Sequence, residues 1–107
     1  MLIHPSEIQE RLRKRFLDRL AARMKRMRKE LVERNWHVLK AEARILKGSG
    51  ETFGFPELTL HAVRVEELIP KGEISRARTI PEAKQAVEEL IVLIDTILIQ
   101  HSVLRSS

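Results

Sequence analysis

Six residues between His37 and Glu51 fall on one side of a stretch with helical spacing: His37, Lys40, Arg44, Lys47, Gly48 and Glu51. With Arg44 at zero and about 100° per residue, they lie between about −60° and about +40°. Three cations, an imidazole and a carboxylate thus surround a residue without a side chain. Such a strip suits an anionic partner, because a guanidinium forks onto carboxylate or phosphoryl oxygens and a lysine adds a compact charge. Gly48 costs about 1 kcal/mol against alanine inside a helix. Its outward angle favours an unobstructed approach over close helix packing. Plain solvation is the competing reading for Lys40 and Lys47, and a surface histidine is the reading for His37.

Other chemistry finds no support in residue type and spacing. His61 and His101 read as core or boundary histidines, and His4 is terminal. No histidine pair has metal-ligand spacing with a carboxylate beside it, so no metal site is expected. No Ser-His-Asp set, phosphate-binding glycine loop or paired acid/base carboxylates can be argued, and no cofactor is implied. Glu66-Glu67 and Glu88-Glu89 read as solvated faces. The absence of cysteine removes disulfides, thiolate metal sites and a thiol nucleophile.

The strip needs elements to hold it. Gly48, Gly50, Gly54 and Pro56 form one cluster of breakers, Pro70 and Gly72 another, and Pro5 and Pro81 precede long unbroken stretches. The first stretch, about Ser6 to Arg34, has apolar residues at Ile8, Leu12, Phe16, Leu20, Met24, Met27 and Leu31, which is helical spacing. Its length leaves room for a kink near Phe16 to Asp18. The second begins at Asn35, a potential N-cap, and runs to about Phe53, with Leu39, Ala43, Leu46, Gly50 and Phe53 facing inward. Pro56 disfavours helix at Phe55 and opens the third helix, whose inner stripe is Leu58, Ala62, Val65 and Leu68 or Ile69. Residues 73–79 read as a loop. The fourth helix, about Pro81 to Leu104, buries Ala83, Val87, Leu90, Ile94, Ile97, His101 and Leu104. Val92, Ile99 and Val103 form a second apolar stripe, a candidate surface for homodimer formation. No period-2 alternation occurs. The expectation is an all-α, antiparallel up-down four-helix bundle with a long or kinked first helix, filling residues 1–107 as one domain.

The net charge of +5 is uneven: residues 1–47 hold 14 Lys/Arg against 6 Asp/Glu, and residues 48–107 hold 6 against 9. A basic first half invites an acidic partner. Lys25-Arg26-Met27-Arg28-Lys29, with Arg11 to Arg15, makes a nucleic-acid-binding helical protein the competing class, and a structural dimer is a third. Against nucleic acid stand an aromatic content of only 4% and no stacking platform. The longest apolar run, Leu90 to Ile99, is interrupted by Asp95-Thr96 and is about half the length of a membrane span. No signal peptide is visible at Met1 to Pro5, and a cytoplasmic protein is expected.

The segment from Trp36 to Glu66 resembles the histidine-containing phosphotransfer (HPt) domain of multistep phosphorelays. Ala43, Leu46, Lys47, Gly48, Ser49, Gly50, Phe53 and Gly54 match the signature of that family in order and spacing. Trp36 and Leu39 match the entry to its active helix, and Leu58, Ala62 and Glu66 match the helix that follows. The resemblance implies a four-helix bundle that docks the receiver domain of a response regulator or hybrid histidine kinase. It implies that Lys47 stands beside the phosphoryl group and that Gly48 clears its approach. The phosphorylated histidine of the family falls on Arg44. A guanidinium stays protonated and offers no lone pair, so the expectation is a docking module without a catalytic residue, a pseudo-HPt.

Overall fold

The computed structural model describes residues 5–72 and 79–106, and their side chains as far as His101. Four helices follow in order: α1 (Pro5–Val32), α2 (Trp36–Gly50), α3 (Pro56–Leu68) and α4 (Pro81–Ser106). Each packs on the next and α1 also packs on α4, so the four close around one core. There is no strand among the described residues. The architecture is the expected all-α up-down bundle. Residues 73–78 of the expected loop at 73–79, the terminal His4, and the side chains of Val103 and Leu104 lie outside the described residues.

The inner stripes of α2, α3 and α4 meet in the core. Leu39, Ala43 and Leu46 face Leu58, Ala62 and Val65, with Ala83, Val87, Leu90, Ile94 and Ile97 closing the other side; all are buried. Between the two candidates at the end of α3, Ile69 is buried and Leu68 half-buried. Val92 and Ile99 stand exposed on α4, as the second stripe required.

α1 departs from its expected pattern. Phe16, Leu20 and Met27 are buried, but Ile8 and Leu12 are 45% and 48% exposed, and every residue from Pro5 to Arg15 is exposed. Length accounts for the side facing α2: a helix of 28 residues spans about 42 Å, whereas α2, with 15, spans about 22 Å and ends short of the first turns of α1. Leu17, off the predicted stripe, is buried instead. The helix is continuous through Phe16 to Asp18, as the expected long first helix.

The joint between α1 and α2 places Asn35 at the expected N-cap, where its carbonyl accepts from the Leu39 N–H at 3.1 Å. The Asn35 side chain makes no capping hydrogen bond. The Asn35 backbone N–H donates to the Glu30 carbonyl at 2.9 Å, and the Arg34 N–H to Leu31 at 3.1 Å. This pairing closes the end of α1, with Arg34 in the left-handed region at φ 55°. The Asn35 backbone thus serves both helices, its N–H closing α1 and its carbonyl opening α2.

α2 ends at Gly50, not at Phe53. Phe53 turns back toward α1, where its ring stacks on Phe16 at 4.5 Å and 9°. Phe55 lies 5.8 Å from Phe16 and meets His101 edge-on at 5.4 Å. Half-buried His101 thus touches the corner between α2 and α3, at the edge of the core.

Gly50 and Gly48 have opposite reasons. A Cβ at Gly50 would stand 2.6 Å from Thr59 Oγ1, 2.9 Å from the Thr59 nitrogen and 3.1 Å from the Phe55 carbonyl oxygen. Two of these are backbone atoms and cannot move aside cheaply. A Cβ at Gly48 would meet nothing within 4 Å. Gly50→Ala should therefore cost about 1–3 kcal/mol, and Gly48→Ala should add about 0.5–1 kcal/mol of stability. Denaturant melts of the two variants check this, and the reverse order would place the close approach at the wrong glycine.

Candidate functional site

α2 carries the strip, and the directions of its side chains are set by Leu39, Ala43 and Leu46 pointing into the core. Arg44 projects from the helix, with its side chain 67% exposed, and Lys47 sits one turn on at 40%. They are brought together by a residue of α3. Glu66 accepts a hydrogen bond from Arg44 Nε at 2.9 Å through one carboxylate oxygen, and from Lys47 Nζ at 2.6 Å through the other. The Glu66 side chain is only 16% exposed, so the carboxylate lies beneath the two cations. This corrects its reading as a solvated face. Glu89 keeps its reading on a solvated face, where Arg64 Nη1 reaches it at 3.3 Å.

The two ionic hydrogen bonds, Lys47 first and Arg44 second, pull the Glu66 carboxyl from 4.5 down to about 2. Their contribution to stability is therefore fully present above about pH 4.5 and is lost as pH falls toward 2. Acid unfolding of Glu66→Gln should lack that part of the pH dependence. A variant with an unchanged acid limb would show that the pair contributes nothing.

The other predicted residues are distributed around this pair. Gly48 follows Lys47 and leaves open space above the helix. Lys40 is half-buried, and its Nζ donates to the Ile69 carbonyl at 2.8 Å, which spends its ammonium on the end of α3. His37 is exposed at the start of α2, about 10 Å along the axis from Arg44. Glu51 is exposed just past the last turn, with its backbone N–H donating to Thr59 Oγ1 at 2.9 Å. The Thr59 hydroxyl in turn donates to the Lys47 carbonyl, 3.3 Å away, so α3 anchors the end of the strip through one side chain.

The α1 side of α2 adds an apolar surface. A groove of about 240 Å³ is lined by Leu12, Phe16, Ile45, Ser49 and Phe53, with Arg15, Arg19 and Arg23 around it. Arg23 also binds Glu42 at 2.6 Å, and Arg26 approaches the same carboxylate at 3.4 Å. Part of the basic charge of α1 is thereby tied to α2. A second groove, of about 560 Å³, includes Trp36, Lys84 and Ile91 and shares no residue with the strip.

Residues 11–100 match the family described as the Hpt domain, from the exposed part of α1 through most of α4. The chain belongs to this family. No curated protein and no solved structure gives a match. As an HPt domain, the chain is a phosphorelay signalling adaptor rather than an enzyme, with a general role in docking receiver domains. No helix among the described residues is long and apolar enough to cross a membrane, and no three His, Cys, Asp or Glu residues gather into a metal-binding group.

Residue type and spacing had singled out the cations but not Glu66 as their partner, nor Ile45 and Phe53 as the wall of a groove. In the sequence Glu66 reads as part of a solvated face and as a match to the family pattern on the following helix. Its 22-residue separation from Arg44 carries no helical period. Only the packing of α3 on α2 brings the two together.

Proposed function

We propose that this chain docks receiver domains without carrying the phosphoryl group, because Arg44 stands where an HPt domain presents its histidine. The observation that supports this most is the outward placement of Arg44 on α2, with Lys47 beside it and open space at Gly48. The arrangement can attract, orient and hold an anion. It has no nitrogen at that position able to attack phosphorus, since the guanidinium keeps its proton and has no lone pair to give. A receiver active site, built around a carboxylate, suits the two cations, and the apolar groove on the α1 side offers neighbouring surface for contact. Cognate partners are receiver domains of response regulators or hybrid histidine kinases, met in the cytoplasm. Exposed Val92 and Ile99 support pairing of two copies through α4 as an additional contact.

Calorimetry against a panel of purified receiver domains tests this reading. The protein should bind at least one, and Arg44→Glu should weaken that binding about tenfold or more, as like charges then face each other. Incubation with the phosphorylated receiver should leave the protein unlabelled. Label on the unmutated protein, mapped to His37 or His61, overturns the proposal. Binding to nucleic acid at near-physiological salt, lost when Arg26 and Lys29 are neutralised, with no receiver bound, assigns the basic face of α1 the main role instead.

A further inference from the structure

We propose that the groove between the end of α1 and the start of α4 is a second docking site, which takes a short acidic amphipathic helix of a partner protein. The inference does not rest on receiver docking, because the groove shares no residue with the strip on α2. α4 packs on α1 and α3 and stands diagonally from α2, so the two surfaces can be occupied at once. The floor of this groove of about 560 Å³ is apolar: Trp36 and Ile91 are buried and Leu31 is half-buried. Its banks are apolar too, but face water. Val32 on α1 is 83% exposed and Val92 on α4 is 64% exposed. Exposed valines on both sides of an apolar floor make a patch of the kind that a partner covers.

Shape and charge select the occupant. On α4 the lining runs from Lys84 to Val92, about 12 Å or two helical turns. A helix about 10 Å across, laid between α1 and α4, covers both valines and seats apolar residues at i, i+4 and i+7 on the floor. A small apolar ligand on the floor leaves both banks wet. Arg28 stands exposed on the α1 bank, Lys84 on the α4 bank, and Arg34 just past the end of α1. Neither Arg28 nor Lys84 takes part in the ion pairs that join the helices, unlike Arg23, Arg26 and Arg64. Glu88 is the one carboxylate among the described residues of the lining. Three cations against one carboxylate call for acidic residues on both flanks of the incoming helix. They also disfavour a second copy in the groove, because a two-fold pair sets the same positive rims against each other. Ile99, about 10 Å further along α4, lies outside the groove and remains free for pairing of copies.

The probe is a synthetic helical peptide of about four turns, with leucines at i, i+4 and i+7 and glutamates on both flanks. Trp36 is the single tryptophan, so its indole N–H resonance reports on the groove by itself. The peptide should shift that resonance and bind about tenfold or more tightly than the same peptide flanked by lysines. Arg28→Glu/Lys84→Glu should reverse this preference. Both side chains are exposed, so the variant should melt as the unmutated protein does, and its receiver binding should be unchanged. No shift of Trp36 with the glutamate peptide, or equal affinity for the two peptides, overturns the inference. Tighter binding of dodecanoate than of the peptide gives the groove to a small amphiphile and overturns it as well. A Trp36 resonance that moves with protein concentration alone assigns the groove to a second copy, with the same consequence. Loss of receiver binding in the double variant merges the two surfaces into one and removes the second site.

Discussion

Arg44→His should take up phosphoryl label slowly from a phosphorylated receiver, Arg44→His/Glu66→Gln about tenfold faster or more, and the unmutated protein not at all. The first difference follows from residue chemistry. An imidazole at position 44 has a lone pair that arginine lacks, and it stands on an exposed helix face beside Lys47, which can balance the incoming charge. The second difference follows from Glu66. With arginine gone, its carboxylate is left beside the new ring. A carboxylate there favours the protonated imidazolium, which is not a nucleophile, and repels the approaching phosphoryl oxygens. Glutamine removes that charge and keeps a hydrogen-bonding side chain of the same length to orient the ring. The adduct should be labile in acid and stable in base, as a phosphohistidine is. Label equal in the single and double variants would show that Glu66 does not control the site. Absence of label from both, with receiver binding retained, would show that the surroundings of position 44 have lost more than one side chain.

Leu46→Ala should cost about 2–5 kcal/mol, while Lys47→Ala should change stability by about 0.5 kcal/mol or less. The two residues are neighbours in sequence, but α2 sends them in different directions. Leu46 is fully buried where α2 meets α3 and α4, and alanine would leave a cavity lined by rigid core. The Lys47 stem is partly exposed and its ammonium pairs with Glu66 near the surface, where screening by water keeps the worth of an ion pair small. Urea melts of the two variants read the difference directly. For a domain of this size the larger loss is a substantial share of the total stability, so Leu46→Ala should also melt many degrees lower. A larger loss for Lys47→Ala would mean that α2 is rotated and that the strip does not face outward.

The sequence by itself determined the number of helices, their order, the inner stripes of α2, α3 and α4, and the outward position of Arg44 and Gly48. Each of these rests on short-range periodicity: a helix repeats every 3.6 residues, so Leu39, Ala43 and Leu46 fix the direction of every side chain between them. The same logic failed for Ile8 and Leu12, because helical spacing says which side of α1 is apolar and not whether another helix covers it. It placed Asn35 at the cap of α2, where the backbone rather than the side chain makes the bonds. Lys40 shows the limit most simply. Its angle on α2 matches that of Lys47, yet its ammonium reaches the end of α3 and the Lys47 ammonium reaches Glu66. Only the tertiary structure decided which cations are spent inside the fold and which remain partly on offer. Those pairings join residues 19 to 29 positions apart, and such distances in sequence close only when α2 and α3 pack side by side.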